Sequence, residues 1–188
     1  EALDWLNQVH GLQHLDVKPH NLLLISNHIK LGDFGLLHHL GDELQNHCTI
    51  RKGGVTPLYS APELLRGTLS RNSDQYSLAV VYMQLLTGTV PFWNENIYEL
   101  MMQHLTAEPD LEALPDEDQP IIARALSKIP DYLYPNCLDL IHALRESASN
   151  SIRETSKWRR VLSGQKKPSL SHPSITPSTT GSRPDTVL

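Results

Sequence analysis

Apolar residues recur at helical spacing over the first eleven positions, where Leu3, Trp5, Leu6 and Val9 give a partly apolar face that Gly11 ends. The period then changes. The apolar run Leu22-Leu23-Leu24-Ile25, the polar turn Ser26-Asn27-His28 and the partner Ile29-Lys30-Leu31 predict a β-hairpin. Residues 36–55 are polar and show no period, which predicts a loop of about twenty residues, a length at which loops are functional or disordered. Residues 78–86 are apolar almost all round, with Ser73-Asp74 before them and Thr87-Gly88 after them. That is the pattern of a core helix with a polar start, where Asp74 reads as a capping residue, and a glycine stop. Pro91-Phe92-Trp93 breaks the chain, and amphipathic segments at 97–105, 119–126 and 137–144 predict three further helices. No segment repeats. Beyond about residue 150 the pattern fades, and from 168 to 188 thirteen of twenty-one residues are Ser, Thr or Pro, which predicts disorder.

Composition adds a charge asymmetry to this picture. The chain is 39% hydrophobic and 20% charged, as an ordinary globular domain is, with a net charge of −5. Residues 151–188 hold seven Lys/Arg against two Asp/Glu, so an acidic globule precedes a basic tail. An acidic globule argues against nucleic acid as its main partner. Cys48 and Cys137 stand far apart with no C-x-x-C pair, which suggests neither a disulfide framework nor a zinc site and makes a reducing, cytoplasmic setting the default. His38, His39, His47 and Cys48 fit no zinc spacing and read as a solvated loop. No run approaches the roughly 18 to 20 apolar residues of a membrane span. With no signal peptide and no initiating Met before Glu1, the chain is expected to begin within a longer protein.

The chemistry concentrates in His14-Leu15-Asp16-Val17-Lys18-Pro19-His20-Asn21, followed by Asp33-Phe34-Gly35. An Asp, a Lys two positions on and an Asn three beyond it can converge on one phosphoryl group from a single short loop. The carboxylate can accept a hydroxyl proton, the ammonium can neutralise a developing oxyanion, and the amide oxygen can hold a metal ion. Asp33, arriving from the far end of the predicted hairpin, offers hard oxygen ligands of the kind Mg²⁺ takes. Either triplet alone also fits a polar loop between buried strands.

Together these motifs resemble the catalytic and Mg²⁺-binding loops of a eukaryotic-type serine/threonine protein kinase, most like the bacterial kinases of that type. Thr56-Pro57-Leu58-Tyr59-Ser60-Ala61-Pro62-Glu63 resembles the T-P-x-Y-x-A-P-E element that closes the family's activation segment, and Asp74 follows in the family's order. The resemblance covers residues 1 to about 148. It implies an α+β, protein-kinase-like fold, of which residues 1–150 form only the larger, mainly helical C-terminal lobe. Residues 151–188 would be a basic, then Ser/Thr/Pro-rich, disordered linker.

The resemblance further implies protein phosphorylation with ATP and Mg²⁺. Asp16 would orient and deprotonate the acceptor hydroxyl, Lys18 would stabilise the transferred phosphoryl group, and Asn21 and Asp33 would hold Mg²⁺. Thr56 would bond Asp16 and Lys18, and Asp74 would bond the backbone of the catalytic loop. Leu23 would lie beneath the adenine ring, although a plain core leucine fits its pattern equally well. Thr49 would be the phosphoacceptor of the activation segment.

No G-x-G-x-x-G loop, strand Lys or helix Glu of the smaller lobe is present. That lobe is therefore an expected partner, alongside a protein substrate, and the fragment alone is expected to be inactive. Two arginines of the family are leucine here. Leu15 stands in the H-R-D motif, and Leu133 stands where a buried Arg would pair with Glu63, which must then be hydrated, protonated or repartnered. These departures sustain an alternative, a pseudokinase that serves as a scaffold. The basic residues within 157–167 suggest proximity to an anionic membrane surface.

Overall fold

The computed structural model describes residues 1–40 and 56–163, the side chains of 153–163 excepted. The expectations placed on His47, Cys48, Thr49 and the 168–188 tail lie outside the described residues. The first helix, α1 (Ala2–His10), stops at Gly11, whose φ of 64° is a left-handed conformation that glycine adopts without strain. Its apolar face is only partly used: Leu6 is buried, whereas Trp5 and Val9 are exposed. Strand β1 (Leu12–Gln13) follows.

A short turn at Pro19–Asn21 leads into the hairpin of β2 (Leu22–Ile25) and β3 (His28–Leu31), in the register Leu22↔Leu31 to Ile25↔His28. Ser26 and Asn27 have φ of 49° and 64°, the double positive pair of a two-residue turn whose twist matches the strands. The expected loop after Gly35 begins with a strand instead. β4 (His38–His39) pairs with β1, and Leu40 N donates to Gly11 O at 2.8 Å to continue the ladder. This is why the two histidines belong to a sheet rather than to a solvated loop.

Five helices follow among the described residues: α2 (Pro62–Leu65), α3 (Ser73–Thr87), α4 (Ile97–Thr106), α5 (Gln119–Ala125) and α6 (Cys137–Ser163). The core surrounds α3, with Tyr76, Ala79, Val80, Val81 and Met83 buried together with Leu100, Ile122, Leu126 and Leu140. Helix α3 starts earlier than its apolar run because its first turn is polar yet buried. Each of those polar groups has a partner. Ser73 Oγ donates to Glu63 Oε1 at 2.8 Å, Ser77 Oγ donates to Tyr59 O at 2.7 Å, and Gln75 exchanges bonds with the backbone of Tyr134. The other end is less buried than the pattern suggests, since Leu85 and Leu86 are exposed before Gly88 stops the helix with a φ of 77°.

Glu63 has thus repartnered, with the Ser73 hydroxyl in place of an arginine, and Leu133 is buried as an ordinary apolar side chain. Arg124, on α5, holds the same loop from another side: it donates to Tyr132 O at 3.1 Å and lies 4.1 Å above the Tyr134 ring.

Helix α6 runs well past the apolar pattern that announces it, because no Gly or Pro occurs between 137 and 163. Its start is doubly capped. Asn136 and Asp139 bond reciprocally, and the Asp4 carboxylate on α1 accepts the amides of Cys137 at 2.8 Å and Leu138 at 3.0 Å. Burial, reinforced by the Asp4 charge, pushes the Cys137 thiol up, so it stays protonated and inert. The compact unit comprises Glu1–Arg153.

Two predictions follow from these buried polar groups. Ser73→Ala leaves the Glu63 carboxylate buried without its donor, and denaturant unfolding should register a loss of about 1–3 kcal/mol. His104 is completely buried on α4, and burial, followed by the Lys128 charge, lowers its imidazole to about 4. The unfolded chain takes up this proton near pH 6.5, so the contribution is complete above that pH and is lost as the pH falls towards 4. Melts across this window should show a loss of up to about 3 kcal/mol in the wild type and a flatter profile in His104→Phe.

Candidate active site

The site begins with an aspartate that is not in it. Asp74, in the buried first turn of α3, accepts the backbone amides of His14 at 2.7 Å and Leu15 at 2.8 Å. Burial pushes its carboxyl up, and the two amides offset only part of that shift. Of the two roles expected for Asp74, the structure shows the bond to the backbone of the His14–Asn21 loop and not the helix cap: its oxygens go to that loop, and the helix starts without a side-chain cap. These two bonds hold Leu15 at a φ of 63°, which costs a branched residue about 1–2 kcal/mol. The bend sends the Leu15 side chain into the core and directs the next residue, Asp16, towards the loop that carries Thr56.

Four predicted residues meet there. The Asp16 carboxylate lies 2.6 Å from Lys18 Nζ, accepts the Thr56 hydroxyl at 2.9 Å and accepts Asn21 Nδ2 at 3.0 Å. Lys18 Nζ also donates to Thr56 Oγ1 at 3.1 Å, and Asn21 Nδ2 to Asp16 O at 2.8 Å. Burial would raise the Asp16 carboxyl, but the hydrogen bonds from Lys18, Thr56 and Asn21, with the Lys18 charge, hold it below the ordinary carboxylate value. Thr56 is itself held by the element that follows. Tyr59 Oη donates to Gln84 Oε1 at 2.8 Å, Ser60 Oγ donates to Thr56 O at 2.9 Å, and Ser77 clamps Tyr59 O. Helix α3 therefore fixes both sides of the cluster.

Asp33 stands apart from this group. The hairpin brings its neighbour to Asn21, since Gly32 N donates to Asn21 O at 2.8 Å, but among the described residues the exposed Asp33 carboxylate accepts only Gly35 N, at 3.3 Å. His14 joins the two loops. Its Nε2 lies 3.0 Å from Gly32 O, its Nδ1 accepts Asp16 N at 3.4 Å, and its ring meets Phe34 edge-on at 5.2 Å. These contacts require the Nε2–H tautomer. Leu23 is 48% exposed on β2, so it does not belong to the core of the described residues. The sequence reading assigned no role to His14, Ser77 or Gln84. Their signal was present in polar residues at positions that the apolar pattern would bury.

The donor set suits Mg²⁺ and a nucleotide. Both hydrogen bonds from the Asn21 amide nitrogen go to Asp16, leaving its carbonyl oxygen unbonded among the described residues, and Asp33 offers an exposed carboxylate one rung away. Two oxygen ligands of this hardness, beside an ammonium and an ionised carboxylate, are groups that could hold a metal-bound phosphate and a hydroxyl.

Comparison with known proteins agrees with this geometry. The family described as protein kinase domain matches residues 1–156. The serine/threonine-protein kinase PknF of Mycobacterium tuberculosis is 37% identical over 154 residues, covering 77% of this chain and 32% of PknF. The corresponding PrkC of Bacillus subtilis is 35% identical over 156 residues, and PknB of Mycolicibacterium smegmatis is 32% identical over 148. The chain spans less than a third of the length of these relatives: 32%, 24% and 23%. An α+β fold built on one buried helix, a catalytic loop bolted to that helix and a family match over most of the sequence lead to one conclusion: the chain belongs to the protein kinase domain family.

Proposed function

We propose that this chain carries the larger, C-terminal lobe of a protein kinase that transfers phosphate from ATP to Ser or Thr hydroxyls of protein substrates in signalling. The observation that carries this proposal is the closed set of bonds among Asp16, Lys18, Asn21 and Thr56. Mg²⁺-bound ATP would supply the transferable phosphoryl group. Asn21 and Asp33 would hold the metal, and Leu23 would lie beneath the adenine. Asp16 orients the acceptor hydroxyl. A carboxyl held below its usual range is a weak base, so Asp16 takes the proton only as the attacking oxygen becomes acidic. Lys18 offsets the negative charge that develops on the transferred group, and Thr56 keeps both side chains in register.

The face around the nucleotide site supports a second lobe as partner. Leu23, Leu24, Ile25 and Ile29 on the hairpin, with Phe34 beside it, are all exposed large apolar side chains. A patch of this kind marks a surface that another element covers. The chain has no glycine-rich phosphate loop, so by itself it should not phosphorylate anything. The basic residues of 157–167 support proximity to an anionic membrane surface, with catalysis on the cytoplasmic side; among the described residues no helix is long and apolar enough to cross a membrane.

The scaffold alternative rests on Leu15 and Leu133. Both leucines are buried as apolar side chains, and Glu63 has the Ser73 hydroxyl, so neither departure breaks the polar cluster. That favours the enzyme.

Two outcomes test the proposal in the complete protein. Asp16→Asn or Asp33→Ala should abolish radiolabel transfer to a generic acceptor while leaving the melting temperature nearly unchanged; undiminished transfer would remove that residue from the mechanism. Leu15 has no donor for a phosphate on the activation segment, so loop order does not depend on one through this position. Thr49→Ala should therefore retain activity within about a factor of three, roughly 0.65 kcal/mol in barrier. A tenfold loss would mean that another cation binds such a phosphate.

A further inference from the structure

Helix α4 lacks the polar outer side of a surface helix. Leu100 and His104 are buried on its inner side. One turn apart on the opposite side, Tyr98 and Met102 are 76% and 52% exposed, and Ile97 is exposed beside them. Six of the ten residues of α4 are Ile, Tyr, Leu or Met, and Glu99 carries its one formal charge. A helix apolar on both sides is ordinarily buried on both. Trp93, just before α4, is 65% exposed as well. Together these side chains form an apolar stripe that stays open among the described residues, and such a patch marks a surface that another element covers.

The charge around the stripe has one sign. From Thr89 to Ala123 the sequence holds eight Asp/Glu and no Lys or Arg. Glu95 precedes α4, and Glu99 in its first turn accepts Asn94 Nδ2 at 2.8 Å. Asp110 N donates to Pro91 O at 3.0 Å, which brings the loop after α4 back beside the segment of Trp93. There Met83, Thr89, Val90, Asp110, Glu112 and Ala113 line a cavity of about 330 Å³. An apolar lining with two acidic residues suits the aliphatic stem and cationic head of a Lys or Arg. Lys128 approaches from beyond α5, but its amine stands 4.0 Å above the buried Phe92 ring. Among the described residues no cation forms an ion pair with Glu95, Asp110 or Glu112.

We propose that this face of α4 docks a basic, amphipathic segment of the protein substrate, separate from the segment that carries the acceptor hydroxyl. The proposal rests on the reading of the chain as a kinase of protein substrates. Apolar residues of the segment cover Trp93, Tyr98 and Met102, while its Lys or Arg residues meet Glu95, Glu99 and the cavity of Asp110 and Glu112. Methionine suits this task, because its unbranched thioether repacks against partners of different shape. The sign of the charge sets the occupant. An anionic membrane surface is repelled, and a second copy meeting this face with its own sets Glu95 and Glu99 against like charges.

The test uses the complete protein and two labelled peptides of about fourteen residues. One repeats Leu-Lys-Lys-Leu-Leu-Lys-Leu, and the other has Glu in place of every Lys. In fluorescence anisotropy the Lys peptide should bind, more weakly as NaCl rises, and the Glu peptide should not. The double variant Tyr98→Ala/Met102→Ala and, separately, Glu95→Lys should each weaken the Lys peptide about tenfold. Both variants should keep the wild-type melting temperature and the wild-type rate of transfer to a short acceptor peptide. Joining the Lys peptide to that acceptor should lower its KM about tenfold in the wild type and not in either variant. Loss of transfer to every acceptor with peptide binding retained would count against the kinase reading alone. Equal binding of the two peptides, variants that bind like the wild type, or a joined peptide that leaves KM unchanged would overturn the docking proposal. So would a dimer in sedimentation that the double variant fails to form, since the occupant would then be a second copy.

Discussion

The Asp74 carboxylate and the two amides it accepts from His14 and Leu15 set the geometry of everything on the catalytic face. A loop beginning with a left-handed leucine would relax if left to itself, because that conformation is unfavourable for a side chain with a Cβ. The carboxylate comes from a helix whose other faces are packed into the core, so it cannot follow such a relaxation. Strain in the loop and rigidity in α3 are therefore one arrangement. Its product is the position of Asp16.

The same helix supplies the opposite wall. Ser77 and Gln84 hold Tyr59, Ser60 reaches back to the Thr56 carbonyl, and the Thr56 hydroxyl meets Asp16. Ser73, one residue before Asp74, satisfies Glu63 on α2. A polar turn buried inside a domain is costly unless every group finds a partner, and here the partners lie in the His14–Asn21 loop, the Thr56–Glu63 element and the segment before α6. The arrangement concentrates positional information for the site in one helix, between Ser73 and Gln84. Charge balance within the cluster then keeps Asp16 ionised, with Lys18 as counter-ion, in a pocket where burial alone would favour its neutral form.

The departures from the family pattern were absorbed without disturbing this frame. Leucine at position 15 joins the hydrophobic core, and leucine at 133 is buried while Arg124 holds the adjoining carbonyl of Tyr132. At 15 the apolar side chain brings no charge into the core, and at 133 it leaves Glu63 without a cation, a place that the Ser73 hydroxyl takes. Among the described residues the hairpin beside the proposed nucleotide site stays open, with four apolar residues of β2 and β3 exposed.

By itself the sequence determined the family's motifs, the hairpin and the approximate place of each long helix, because those follow from local period, turn residues and spacing. Asp16, Lys18, Asn21 and Thr56 were all legible as one chemical group. Tertiary structure decided what local pattern does not encode. It decided between the two roles open to Asp74, giving its oxygens to a loop sixty residues earlier and none to the helix start, and it gave Glu63 a hydroxyl in place of an arginine. It drew His38 and His39 into a strand against β1 and left Leu23 exposed. The physical reason is common to these cases. A polar residue in a buried turn, or an apolar one on an open hairpin, has its role set by partners distant in the chain, and no periodicity within a window of ten residues reports which partner folding will bring.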